Sequence, residues 1–197
     1  MSYNINSLTS DCYEGTTCLI NKYGIKDESI LSELEATVTF SKIAEYSLNP
    51  LYHSFDVNHY KGIHRFLFED IYEWAGEYRK VNMAKKGTNF ADAESIEDLI
   101  NKCFGRLRSL NYYQGLCFDE FIDNIVGFYC VTNIIHPFRE GNGRTQRLFL
   151  SQLVSLNGYT LDFSATDPDD LIIATIQAAN GVTDNLKEYF KKAIKLE

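Results

Sequence analysis

Residues 136–147, His-Pro-Phe-Arg-Glu-Gly-Asn-Gly-Arg-Thr-Gln-Arg (HPFREGNGRTQR), separate two strongly apolar segments and decide how this 197-residue chain folds. Pro137 disfavours helical geometry in the residue before it, so the preceding segment must stop at His136. That segment, residues 118–135, sets Phe118, Phe121, Ile122, Ile125, Val126, Tyr129 and Ile134 at helical spacing, with Phe128, Val131 and Ile135 on the flanks. Such a broad apolar face predicts a central, buried helix. The chain restarts as a helix at GNGRTQRLFLSQLVSLNGY, so a short loop joins two helices.

The loop itself carries chemistry. Gly141, Asn142 and Gly143 precede a helix N-terminus, where small residues let backbone N–H groups turn toward an anion. Arg144 and Arg147 lie three residues apart on the first turns of that helix, and their fork-shaped donors suit phosphate oxygens. Glu140 would oppose an anion in this positive setting unless a cation sits between them, and Mg²⁺ commonly binds one or two carboxylates together with substrate phosphates. His136, with an ordinary pKa of about 6.5, can take a proton from a hydroxyl near neutral pH.

Working outward, residues 29–47 read as a helix, although Thr37, Val38 and Thr39 are β-branched. From an N-cap at Asp56, the apolar positions Val57, Tyr60, Ile63, Leu67, Ile71 and Trp74 predict a second helix running to Gly76. The stretch EYRKVNMAKKGTNFA, residues 77–91, reads as a hairpin around a Lys-Lys-Gly turn and as the only β structure. A helix from about Glu94 to Leu107 follows. Asp167-Pro168 opens a further helix closed by Gly181, and Thr183 is placed to cap a last one ending in Lys191, Lys192 and Lys195. The expected fold is all-α, a helical bundle with one hairpin, in a single domain over residues 1–197.

A composition of 45% hydrophobic and 14% aromatic residues supports a substantial core. The net charge of −8 and pI near 5.0 argue against direct nucleic acid binding or attraction to an anionic membrane. Five cysteines without a CxxC pair suggest reduced thiols, and the absence of a long apolar run argues against a membrane helix. The expected setting is cytoplasmic. His53, His59 and His64 form no trusted ligand pair and read as surface or packing residues, while Tyr13, Tyr112 and Tyr113 are weighed as self-modification targets.

The loop matches HxFx(D/E)GNGRxxR, the signature of Fic-domain proteins, at every defined position, and the chain resembles that family. IHRFLFEDIYEWAGEYRKVNM at 63–83 is similar to the family's approach to its flap, KKGTNFA to the flap, and YEGTTCLINKYGI at 13–25 to the opening of stand-alone, toxin-like bacterial members. The resemblance implies the Fic fold and protein adenylyltransferase activity, with AMP moved from Mg-ATP to a Ser, Thr or Tyr hydroxyl. Position by position it implies His136 as base, Glu140 as Mg²⁺ ligand, and Gly141, Asn142, Gly143, Arg144 and Arg147 as phosphate ligands. Asn142 would help place the α-phosphoryl group, Phe138 would anchor the loop in the core, and Thr88, Asn89 and Phe90 of the flap would align a target segment.

The resemblance also implies a toxin of a toxin–antitoxin pair, with type II topoisomerases among the expected targets. In many relatives a Glu within (S/T)xxxE(G/N) pairs with the second motif arginine, here Arg147. Ser10 to Gly15 fits the pattern through Glu14, yet the segment lacks an amphipathic helix, and after Ser29 and Glu33 the Gly or Asn is replaced by Leu34. A separate small antitoxin is therefore the expected source of the inhibitory Glu. Two alternatives stand beside AMP transfer: a kinase-like transfer of another phosphate-containing group, and a catalytically silent peptide-binding module.

Overall fold

A computed structural model describes residues 11–50, 53–85 and 88–196. The helices are α1 (Glu28–Leu48), α2 (Val57–Phe68), α3 (Ile96–Ser109), α4 (Phe118–Ile135), α5 (Asn142–Leu156), α6 (Pro168–Ala179) and α7 (Asp184–Ala193). The all-α expectation holds, with the helix–loop–helix of α4 and α5 at its centre. Phe121, Ile122 and Ile125 of α4 and Phe149, Leu150 and Leu153 of α5 are almost wholly buried. Gln146 joins the two helices beneath the loop, its amide donating to the Tyr129 carbonyl at 2.9 Å and to Thr132 Oγ1 at 2.6 Å.

The ends of the helices follow the anticipated chemistry in most places. Asp56 caps α2 by accepting from the His59 N–H at 2.8 Å, and Asp167 caps α6 by accepting from Asp169. In α1 the β-branched threonines are accommodated because Thr37 and Thr39 donate their hydroxyls to the carbonyls four residues back, Glu33 and Glu35. Thr183 occupies the N-cap of α7 without a side-chain cap bond.

Three expectations are corrected. The helix expected to reach Gly76 ends at Phe68. The Ile71 and Tyr72 N–H groups both fold back to the Phe68 carbonyl, and the apolar residues that continued the periodicity pack instead as a compact turn, with Tyr72 stacked on Trp74 at 4.3 Å. The hairpin is not the only β structure. Besides β1 (Ala84–Lys85) paired with β2 (Thr88–Asn89), β3 (Tyr159–Leu161) pairs antiparallel with β4 (Ile194–Leu196). Lys195 therefore lies in β4, opposite Thr160, and does not extend the last helix, which keeps Lys191 and Lys192 in its final turn.

The turn of the first hairpin, Lys86 and Gly87, lies outside the described residues, as does Ser10 of the pattern around Glu14. Of the histidines, His59 and His64 are fully buried packing residues and His53 is exposed. Tyr113 is buried, which removes it as a modification target, whereas Tyr13 is half-buried with its hydroxyl 3.3 Å from the Asn21 carbonyl. No helix among the described residues is long and apolar enough to cross a membrane.

Candidate active site

The loop between α4 and α5 opens onto a cleft of about 420 Å³. His136, Glu140, Gly141, Gly143, Arg144 and Arg147 line one side, Thr88 and Phe90 of the hairpin another, and Leu171, Ile172 and Thr175 of α6 a third. Asn89 is exposed and does not line the cleft. Residues far apart in sequence thus converge on the stretch that carries the chemistry.

His136 closes α4 in a left-handed conformation, φ 46° and ψ 61°, a costly geometry for a residue with a Cβ. It turns the chain out of the helix while its N–H still donates to the Thr132 carbonyl at 3.0 Å. Its Nδ1 lies 3.2 Å from the Asn133 carbonyl, a contact that assigns the proton to Nδ1 and makes Nε2 the basic nitrogen. Burial of the ring, with lesser contributions from Arg79 and Lys85 and opposed by the Asn133 contact, pushes its pKa down to about 3. The ring is therefore neutral at neutral pH, with the lone pair of Nε2 available to a proton.

Arg79 holds this geometry in place. Almost fully buried, it donates from Nε to the His136 carbonyl at 2.8 Å, from Nη2 to the Ile135 and Ala91 carbonyls, and from Nη1 to the Val81 carbonyl at 2.6 Å. One guanidinium thus staples both ends of the hairpin segment to the end of α4. Burial lowers its pKa to about 10, so it stays charged at neutral pH.

The second half of the loop is built on Gly141, the N-cap of α5. Its φ of +76° is left-handed, and a Cβ there would run into the ring of Phe68. Asn142 braces the turn: its carboxamide accepts from the Phe138 N–H at 2.8 Å and donates to the Phe138 carbonyl at 2.7 Å. The side chain expected near the α-phosphoryl group is thus engaged with the main chain, and Asn142 offers an anion its backbone N–H at the helix start. Phe138 is fully buried and stacks on His64 at 3.9 Å, so it does anchor the loop in the core.

His64 is a second brace. Its Nδ1 accepts from the Gly76 N–H at 2.8 Å, so Nε2 carries the proton and donates to the Glu140 carbonyl at 3.0 Å. Desolvation holds its pKa near 3.

Glu140 accepts from the Gly141 N–H at 2.9 Å and lies 3.4 Å from Arg144 Nη2. Among the described residues no group of three or more His, Cys, Asp or Glu side chains could hold a metal by itself. One carboxylate facing a cleft with two arginines and a helix N-terminus fits a cation that arrives with phosphate oxygens.

Arg147 is deeply placed, its pKa lowered by burial, with Tyr129, Arg144 and Tyr189 as neighbouring charges or dipoles. Among the described residues no carboxylate is ion-paired with it. Glu14 sits exposed in a turn and not on a helix, and Glu33 is exposed on α1.

The contacts that Arg79, His64 and Glu35 make with the loop are not readable from the sequence, in which His64 reads only as a surface or packing residue. Arg79 lies in a polar stretch where nothing distinguishes a buried guanidinium from an exposed one. Glu35 of α1 donates no motif spacing, yet it is ion-paired with Arg144 at 2.6 Å.

Residues 54–154 match the family described as Fic/DOC. The probable protein adenylyltransferase y4lH of Sinorhizobium fredii is 36% identical over 171 residues, covering 86% of this chain and 88% of that protein. Protein adenylyltransferase VbhT of Bartonella schoenbuchensis is 32% identical over 177 residues, 90% of this chain, which spans 37% of VbhT. Among solved structures, the N-terminal Fic domain of a putative cell filamentation protein from Bartonella quintana, with bound ADP, is similar at TM-score 0.89, 31% identity and 95% coverage of each chain. BepC from Bartonella tribocorum, with bound AMPPNP, is similar at TM-score 0.87 and 30% identity, covering 95% of this chain and 97% of that one.

Proposed function

The chain belongs to the Fic/DOC family as an adenylyltransferase, and from that premise we propose that it moves AMP from Mg-ATP to a Ser, Thr or Tyr hydroxyl of a protein presented by the hairpin. The observation that carries this reading is the single cleft that brings His136 together with Glu140, Gly143, Arg144, Arg147 and the hairpin residues Thr88 and Phe90.

The chain's own residues supply positioning and charge stabilisation, which is most of what phosphoryl transfer asks of a protein. His136 Nε2 takes the proton of the target hydroxyl as its oxygen bonds to the α-phosphorus. The bond from that phosphorus to the α,β-bridging oxygen breaks, and pyrophosphate leaves. The N-terminus of α5, Arg144 and Arg147 stabilise the charge that gathers on the leaving group. Glu140 is the residue that would hold Mg²⁺, which when bound would neutralise phosphate charge. The hairpin would align the acceptor by adding a strand to β1 and β2 through main-chain hydrogen bonds.

The absence of an ion pair on Arg147 among the described residues, with Glu14 in an exposed turn, supports an inhibitory glutamate supplied by a separate small protein. On that reading the chain is the toxin of a pair acting in the bacterial cytoplasm, and the choice of a type II topoisomerase as target rests on family resemblance alone. Incubation with bacterial lysate, Mg²⁺ and ATP labelled at the α- or the γ-phosphate tests the chemistry. Protein label from the α-position alone, lost in His136→Ala, is expected; label from the γ-position would identify a kinase, and no label after removal of any co-purified inhibitor would favour the binding module.

A further inference from the structure

Arg144 is held from two sides. Its Nη2 reaches Glu35 Oε2 at 2.6 Å and Glu140 Oε1 at 3.4 Å, its Nη1 reaches Thr39 Oγ1 at 3.3 Å, and its guanidinium carbon lies 4.7 Å from the centre of the Phe68 ring. Glu35 is the closer and more buried carboxylate, with a side chain 10% exposed against 26% for Glu140. Its other oxygen accepts from the Tyr72 hydroxyl, so both of its oxygens are committed.

A buried ion pair adds little stability over apolar packing, while loss of one partner strands the other charge. The arrangement therefore points to placement of Arg144. Were Glu35 neutral, the guanidinium would have one strong anion within reach, Glu140, and would close the 3.4 Å gap. That closure would set Arg144 against the cation that the carboxylate is needed for.

We propose that Glu35 is a positioning residue of the nucleotide site: from α1 it draws Arg144 away from Glu140, keeping the carboxylate open to a cation and the guanidinium aimed at phosphate. Tyr72 and Thr39 complete the anchor. α1, which precedes the matched residues 54–154, thereby becomes part of the catalytic apparatus. This rests on the reading above only in taking Arg144 as a phosphate ligand and Glu140 as a cation ligand.

The test is calorimetric titration of a non-hydrolysable ATP analogue across a series of Mg²⁺ concentrations, for the wild type, Glu35→Gln and Tyr72→Phe. Glu35→Gln should bind about tenfold more weakly at limiting Mg²⁺ and recover to within about threefold at saturating Mg²⁺, because cation and Arg144 compete for Glu140. Tyr72→Phe, which loosens the anchor and keeps the ring, should shift the same way by about two- to threefold, and it decides the matter if Glu35→Gln does not fold. Equal affinities at every Mg²⁺ concentration, tighter binding by Glu35→Gln, or no binding by the wild type would overturn the proposal. Binding that follows the expected Mg²⁺ dependence in a protein that transfers no AMP would leave it standing and refute the transfer reading instead.

Discussion

The ring of Phe90 lies flat on the ring of His136, with centroids 3.7 Å apart and planes 8° from parallel. The hairpin thus covers the residue proposed as the base, and the stack contributes to the burial that holds His136 near a pKa of 3.

Removing that cover should raise the His136 pKa. In the wild type its imidazole is neutral throughout pH 5 to 8, and its ring proton resonances should not titrate there. In Phe90→Ala, water reaches the ring and the midpoint should move up toward the ordinary value of about 6.5. Transfer by the variant should then fall as pH drops below 6.5, because the protonated ring is no longer a base. An NMR titration of both proteins, paired with pH–rate profiles, checks the shift; identical flat titrations would show that the stack does not control the ring.

His64 predicts a pH-dependent stability of definite sign. Its folded pKa, near 3, lies below the unfolded value of about 6.5, so the unfolded chain binds the extra proton between these limits. Stability from this group is complete above pH 6.5 and is lost as pH falls toward 3, by up to about 1.4 kcal/mol per pH unit. Urea unfolding at pH 7 and pH 5 should show a loss roughly 2 kcal/mol greater for the wild type than for His64→Gln. Equal losses would mean that His64 takes up no proton on unfolding.

Arg79 should matter to transfer more than to nucleotide affinity. Arg79→Lys keeps a charge but has a single terminal nitrogen, so it cannot serve the carbonyls of Val81, Ala91, Ile135 and His136 together. Stranding buried acceptors should cost about 2–4 kcal/mol of stability, release the hairpin to protease, and slow transfer at least tenfold. Nucleotide affinity should change less than threefold. Limited proteolysis and a split of kcat from the nucleotide KM test this; a loss confined to KM would contradict the staple.

Gly141→Ala should be among the more damaging single substitutions in the loop. The left-handed φ costs about 1–2 kcal/mol for any residue with a Cβ, and displacing the Phe68 ring adds about 1–3 kcal/mol. Denaturant unfolding should show a combined loss of roughly 3 kcal/mol, whereas a loss below about 1 kcal/mol would mean that Phe68 yields freely.

Much of the architecture is legible in the chain because its dominant signals are local. The apolar face of residues 118–135 and the proline after His136 specify α4 and its end without reference to anything distant. The loop is legible for a different reason: phosphate chemistry needs small residues, arginines and a helix start within a few positions. The turn after Phe68 was hidden because Ile71 and Trp74 continue a helical period while packing as a turn. The β3–β4 ribbon was hidden because its two strands lie more than thirty positions apart and β4 follows a lysine-rich helix end. Arg79, His64 and Glu35 owe their roles to partners distant in sequence, and a side chain's burial among such partners leaves no mark on its neighbours in the chain.

The central claim, that His136 acts on the proton of the acceptor and not on the nucleotide, is tested most directly by measuring two quantities in His136→Ala: affinity for ATP with Mg²⁺, and the rate of AMP transfer to protein. Removal of a general base should lower the rate by about 10²–10⁴-fold while ATP affinity stays within about twofold of the wild type. Parallel loss of both would make His136 a structural residue of the loop, and undiminished transfer would remove it from the chemistry altogether.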